Sequence, residues 1–422
     1  MKKTALRLIA ISVLIVTALV VSQLGSSLGN IFPAIPPINT VYIRADGSIE
    51  PSTASIAIEN NVYTLTGDLT NTTVKIERDG IILDGAGYSI IGNDINFHVG
   101  VDISNRTNTT VKNLVINQFG SGILMENASN NTLKENKITT YIAFNMGNAD
   151  NNIIVSNTAV TLDYGIFGSG SCNQIMDNNF SLSGSGYAYM GISLHSSNNN
   201  TLSHNSISHG IGINLADSHY NTISNNTLIG GNTELDSTGI FLTRSSNNQI
   251  FGNIIKEKTS VSSTGLHLSE ESANNLVFEN LLEKNTYAVA LCYYSVEESR
   301  PENVYNNTLY RNSFINNVNN VRVAKGTPVN YWDNGQQGNF WSDYKGNDNN
   351  NDGKGDTPYI IDENNQDNYP LMAPYSVENN AVALPQTEPF LAIIVAISIA
   401  VTITVGAGLL LLRKKQHEAT QV

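Results

Sequence analysis

Cysteine and tryptophan are scarce in this chain, with two of each in 422 residues. Two cysteines cannot build a disulfide framework or a thiolate metal cluster. Proline is missing from Ser52 to Arg300, and all eleven prolines lie at positions 33–51 or 301–389. A proline deletes a ladder donor, so a long stretch without one suits continuous strand pairing. Basic charge is also short, at 23 Lys+Arg against 36 Asp+Glu. Setting aside Lys2, Lys3, Arg7, Arg413, Lys414, Lys415 and Glu418 at the two apolar ends leaves 17 basic against 35 acidic residues. That balance excludes a nucleic-acid partner, which needs a basic face for phosphates. Charged residues are only 14% and hydrophobic residues 41%, so the chain has the means to bury a sizeable core. What it has in excess is asparagine: 59 residues, roughly one in seven.

The two ends read as membrane-directed segments. Lys2, Lys3 and Arg7 precede an apolar run from Leu8 to Val21, then small residues such as Gly25 and Ser26. This order is that of a secretory signal, assigned to 1–29. Phe390 to Leu412 holds 23 uncharged residues followed by Arg413-Lys414-Lys415. At a rise of about 1.5 Å per residue it spans a hydrocarbon core of about 30 Å. The expectation is a single-pass anchor at 390–412, a cytoplasmic tail at 413–422, a stalk at 376–389 and an extracellular middle.

That middle repeats. An octapeptide Asn-x-apolar-x-x-Asn-x-apolar begins at Asn131, Asn152, Asn173, Asn200, Asn221, Asn248, Asn275 and Asn307. Its second asparagine falls at Asn136, Asn157, Asn178, Asn205, Asn226, Asn253, Asn280 and Asn312. A Gly-Ile-x-Leu element precedes most copies, as in Gly191-Ile192-Ser193-Leu194 and Gly239-Ile240-Phe241-Leu242. Both elements alternate with period two, which means strands. Repeats of 21 to 27 residues are too short to bury an apolar face alone, but stacked they share one core. The fold class is therefore all-β, a right-handed parallel β-helix of the pectate-lyase-like solenoid kind. The coils are expected at 79–326, between an N-terminal cap at 40–78 and a C-terminal cap at 327–375. A leucine-rich-repeat solenoid would need a helical segment in each repeat, and none is present. The second-asparagine series is expected to form a ladder of amides between coils, holding the register, with asparagine also suiting left-handed turns at the corners.

Two flanking strings add a resemblance. One runs from Tyr42-Ile43-Arg44-Ala45-Asp46-Gly47 through Ile76-Glu77-Arg78-Asp79-Gly80 to Leu83-Asp84-Gly85-Ala86-Gly87. The other runs from Tyr331-Trp332-Asp333 through Gly338-Asn339-Phe340-Trp341-Ser342-Asp343-Tyr344 to Asp352-Gly353-Lys354-Gly355-Asp356. With the repeats, they resemble NosD-like proteins of archaeal cell surfaces over roughly residues 40 to 375. That family carries the β-helix called the carbohydrate-binding and sugar-hydrolysis domain. The resemblance implies carbohydrate recognition or a structural surface role, and its name implies copper handling. Fold analogy alone does not carry function.

Copper sites gather Met, Cys or His. This chain has six Met, two Cys and seven His without a paired motif, and His195, His204 and His219 fall at different places in the repeat. Copper is therefore not the expectation. A hydrolase needs two carboxylates across a cleft. The outward acids Asp84, Asp102, Asp163, Asp177, Asp217 and Asp236 offer no pair on one corner of adjacent coils. A polysaccharide lyase or glycoside hydrolase stays as the alternative function, and a copper-binding accessory role as the next. Asp348, Asn350 and Asp352 followed by Gly353 match the first half of a calcium loop, with Asp356 as a further ligand and Tyr359 where a glutamate is expected. A structural calcium is the one cofactor expected. Trp332, Trp341, Tyr344, Tyr293 and Tyr294 are the candidates for stacking on a sugar, against the reading that the aromatic cluster caps the rod. The partner expected is a cell-surface or extracellular polysaccharide. Asn-x-Ser/Thr sequons occur at Asn71, Asn105, Asn108, Asn127, Asn130, Asn179, Asn199, Asn225 and Asn306.

Overall fold

Each octapeptide lays down two short strands separated by a corner. In one coil these are Thr132–Lys134 and the first part of Lys137–Gly147; in another, Thr222–Ser224 and Thr227–Ile229. The Gly-Ile-x-Leu element supplies the third strand, such as Ile211–Ala216. Corresponding strands stack in parallel and in register from coil to coil: Thr201↔Thr222↔Gln249 in sheet 1, Ser206↔Thr227↔Ile254 in sheet 2 and Ile192↔Ile213↔Ile240 in sheet 3. The result is a parallel β-helix with three faces. The computed structural model describes residues 38–95, 97–184, 189–230, 237–292, 303–324 and 326–375. The expected signal segment, stalk, membrane helix and tail lie outside these residues, as do Tyr293, Tyr294 and Asp236. Among the described residues no helix is long and apolar enough to cross a membrane.

Inside the rod, equivalent residues pile up in apolar columns. Leu133, Ile154, Ile175, Leu202 and Ile223 form one of them, all fully buried. The glycines of Gly-Ile-x-Leu stack in sheet 3, and a Cβ on Gly212 would come within 2.5 Å of the Gly239 carbonyl oxygen. Only glycine lets the coils approach that closely.

Two buried asparagine ladders run along the rod. The Asn157 amide nitrogen donates to Asn178 Oδ1 at 2.9 Å and to the Leu133 carbonyl at 2.9 Å. Its own Oδ1 accepts from the Asn136 amide and the Asn136 backbone N–H, both at 3.0 Å. Both amide protons and both lone pairs are thereby used, which removes the cost of burying the group. The same pattern links Asn178 to Asn205, Asn226, Asn253, Asn280 and Asn312. The first asparagines of the octapeptide form a second ladder of the same kind, from Asn131 through Asn152 and Asn173 to Asn275 and Asn307.

Three expectations about the repeats need correction. First, the ladder asparagines are not the left-handed corner residues. Positive φ falls one residue earlier, at Asn130, Asn151, Asn199, Asn247, Asn274 and Asn306. One residue turns the corner and the next bonds across coils, so doublets such as Asn130-Asn131 and Asn199-Asn200 combine two separate roles. A sequon such as Asn199-Asn200-Thr201 is then corner, ladder and strand in order. Second, coil geometry starts before residue 79, because Asn39–Ile43 already pairs in parallel with Thr72–Ile76. Third, it continues beyond 326. Asn330 and Asn339 extend the two ladders from Asn307 and Asn312, each at 2.9 Å. The spacing inside this last rung is nine residues instead of five, because 333–337 loop out between its two strands.

Candidate functional site

Trp332 and Trp341 stand two residues after Asn330 and Asn339, at the inward positions filled by buried apolar residues in earlier coils, such as Leu309 before Trp332 and Phe314 before Trp341. They are 0% and 1% exposed, so their faces are closed to a sugar. Trp341 stacks on Phe314 at 4.4 Å and on Tyr359 at 4.2 Å. The Trp332 indole N–H donates to Asn365 Oδ1 at 3.3 Å and that of Trp341 to Asp367 Oδ2 at 2.8 Å. These two acceptors also continue the ladders, taking the backbone N–H of Asn330 and of Asn339. Burial pushes the Asp367 carboxyl up to about 6, against the pull of its three N–H donors. Tyr344 is half-buried, with its hydroxyl donating to the Thr357 carbonyl at 2.6 Å.

The calcium candidates share one turn. Asp348 accepts backbone N–H bonds from Asp352 at 3.1 Å and Gly353 at 2.9 Å; Asn350 Oδ1 accepts from Asp352 at 3.0 Å. Asp352 takes the Lys354 N–H, and Asp356 takes the Asn349 N–H at 2.9 Å. Among the described residues no group of three His, Cys, Asp or Glu converges as a metal site.

Arg244 lowers the Asp217 carboxyl pKa, and of the histidines His195 and His219 both lie near enough to help lower it. His204 occupies a left-handed corner. His219 Nδ1 accepts the Ser246 N–H at 3.1 Å. His267 is buried, its Nε2 bonded to the Cys292 carbonyl at 2.7 Å, and burial lowers its pKa to about 4. Met125 and Met146 point into the core. The described donors therefore do not fit a copper site.

Among the acids, Asp84 is paired with Lys112 at 2.9 Å. Asp217 is held below the usual carboxylate range by Arg244, whose guanidinium also reaches Glu270 on an exposed corner. Asp102 stands 3.7 Å from Lys75, and Asp177 turns a left-handed corner. Asp163 differs. It lies at the bend between sheets 2 and 3, where the register shifts between the long strands Lys137–Gly147 and Thr158–Gly168. Burial raises its pKa, while a hydrogen bond from the Tyr141 hydroxyl works against the shift.

Sheet 3 aligns a row in register on the side away from the apolar columns: Leu124, Asn145, Phe167, Ser193, Asn214, Phe241, His267, Ala290 and Arg322, of which Ser193, His267 and Ala290 are buried. Between Asp102 and Arg322 this row bears no charge at neutral pH. Tyr164 and Phe167 approach at 4.6 Å, Phe167 and His195 at 5.9 Å, and Phe241 and His267 at 4.8 Å. The Asn214 amide donates to Ser193 Oγ at 3.1 Å. At about 4.8 Å per strand, the stretch from Leu124 to Phe241 covers roughly 24 Å. Sequence reading named the motif position but not this row, because the repeat intervals vary and only the register aligns them. Lys258 was also missed. It is fully buried, its amine donating to the Gly210 carbonyl at 3.0 Å and the Ile229 carbonyl at 3.4 Å, with its pKa lowered to about 7 by burial.

A family model described as periplasmic copper-binding protein (NosD) matches residues 38–188 and again 189–346. No curated protein matches the chain. A mutant of the periplasmic alginate epimerase AlgG is 13% identical, with a TM-score of 0.50 over 69% of this chain and 82% of that one. The Dettilon tailspike protein is 12% identical, with a TM-score of 0.49 over 68% and 60%. The catalytic domain of a GH87 alpha-1,3-glucanase in complex with tetrasaccharides is 14% identical, with a TM-score of 0.41 over 70% and 63%. At these identities the likeness is one of fold.

Proposed function

The chain belongs to the NosD family, and from that premise we propose that it is a cell-surface β-helix that binds a neutral polysaccharide along the outer face of sheet 3. One observation carries this reading: a charge-free row from Leu124 to Phe241, about 24 Å long, with the Tyr164–Phe167–His195 group within it. Aromatic rings offer apolar area and a wet edge, which suits the two faces of a sugar. Serine and asparagine beside them supply hydroxyl and amide partners. An acidic protein with no cation on the row until Arg322 would repel a uronate polymer. The carbohydrate-active neighbours support a sugar ligand only by analogy of fold.

Retention on insoluble neutral glycans, compared with alginate, tests the reading. Phe167→Ala is expected to weaken retention about tenfold, the scale of one lost aromatic contact. Retention by alginate alone, or an unchanged Phe167→Ala variant, would sink it. Release of reducing or unsaturated sugar ends would favour an enzyme, with Asp163 as the first carboxyl to test. The extracellular placement rests on the sequences 1–29 and 390–412; protease accessibility on intact cells tests it. A structural calcium in the Asp348–Asp356 turn is a further part of the proposal. Its removal by chelator is expected to lower Tm by a few degrees, as loss of a ligand that binds only the folded state does.

A further inference from the structure

The last coil is incomplete. Sheets 1 and 2 continue into its rung, through Leu309 with Tyr331 and Phe314 with Trp341. Sheet 3 stops at Asn319–Val323, which pairs with Tyr287–Leu291 on one side and, among the described residues, with no strand on the other. The chain instead leaves through 342–358 and returns as Tyr359–Ile360, a short strand paired with Gln366–Asp367. A groove of about 220 Å³ lies between that return and the edge of sheet 3.

Its polar wall is preorganised. The Asn320 amide donates to Asp343 Oδ1 at 2.8 Å and to the Tyr359 hydroxyl at 3.2 Å. That hydroxyl donates in turn to Asp343 Oδ2 at 3.2 Å. Each carboxylate oxygen keeps a free lone pair, and burial raises the Tyr359 pKa and keeps the phenol protonated. The Tyr359 ring is fixed by its parallel stack on Trp341, at 5°. Asn320 Oδ1 is buried beside the groove with no hydrogen-bond partner. The rim is apolar and open, with Val318 78% and Ile360 63% exposed.

We propose that this groove binds one neutral sugar residue. Asp343 accepts from two neighbouring hydroxyls, and Val318 and Ile360 cover the apolar side of the ring. A carboxylate held by neutral donors is suited to hydroxyl donors and opposes anions, and the volume holds one ring rather than a chain. The choice of a sugar rests on the polysaccharide reading above; the site rests on the groove. The strand edge belongs to the same sheet as Phe167 but lies several coils away, beyond the buried His267 and Ala290, so the groove is a separate site.

The test is saturation-transfer NMR on the full-length protein, in a detergent without a sugar headgroup, with glucose, galactose, mannose and N-acetylglucosamine as probes. At least one is expected to bind, tenfold or more weakly in Asp343→Ala and about threefold more weakly in Ile360→Ser. Ile360→Ser leaves the hydrogen-bonded wall intact, so its result stands even if Asp343→Ala unfolds. Binding of none of the four sugars overturns the inference, as does undiminished binding in a folded Asp343→Ala. Terbium luminescence abolished by Asp343→Ala without any sugar signal would make this a cation site and overturn it too. Retention of neutral polysaccharide without monosaccharide binding defeats the groove alone; the reverse defeats the sheet 3 reading alone.

Discussion

The middle of the rod and its C-terminal end use the same ladders in different ways. In the middle, every rung is an asparagine that both donates and accepts, so each coil needs the next. At the end, both ladders finish on carboxylates. Asn339 leads to Asp367, and Asn365 donates both its amide bonds to Asp362, at 2.9 and 3.0 Å. A carboxylate accepts without donating, so it closes the series and leaves no proton seeking a further coil. The difference teaches that the repeat is propagated by a two-way group and terminated by a one-way group.

The largest break in that comparison should come from placing the terminator in the middle. Asn178→Asp puts an acceptor against the Ile154 carbonyl and Asn205 Oδ1. It should cost about 3–5 kcal/mol in urea unfolding, the scale of an uncompensated buried charge. A cost below about 1 kcal/mol would mean the ladder is not what holds the coils. Trp341→Ala should follow, at about 3–5 kcal/mol for a large buried ring, with Asp367 losing one of its donors.

Lys258→Met sharpens the contrast between a buried amide and a buried amine. The folded amine loses its proton near 7, the unfolded one near 10.5. The folded state binds fewer protons in that window, so wild-type stability rises with pH across it. The variant should be the more stable of the two at pH 6, with the gap shrinking towards pH 10. A gap that does not change with pH would contradict this.

Asp367→Asn makes the terminator two-way. The folded carboxyl keeps its proton up to about 6 and the unfolded one only to about 3.8. The folded state binds more protons between those values, so stability falls as pH rises through them. Relative to Asp367→Asn, the wild type should gain on going from pH 7 to pH 4, by at most about 3 kcal/mol at 1.36 kcal/mol per pKa unit. Urea titrations at three pH values would show it. The smallest effect belongs to the corners: Asn151→Ala should cost about 1 kcal/mol for its left-handed φ, and Asn151→Gly almost nothing.

Much of the architecture was legible because the repeat is chemical as well as periodic. The spacing of Asn136, Asn157 and Asn178 predicts stacked coils, and their amides bond in that order. The last rung was harder to see. Its two asparagines are nine residues apart, and its tryptophans resemble exposed sugar platforms when the alternation around them is overlooked. The proposed binding row was less legible still. Phe167, Ser193 and Asn214 are 26 and 21 residues apart in the sequence, and nothing local says that they share one row.

Sequence alone determined the strands, the ladders and the columns beneath them, because hydrophobic alternation and a self-complementary amide act between any two copies brought side by side. Tertiary structure alone decided how the ladders end, which aromatic rings are buried, and where Asn320, Asp343 and Tyr359 meet. Those outcomes depend on register between distant segments, and on a final coil that departs from its own repeat.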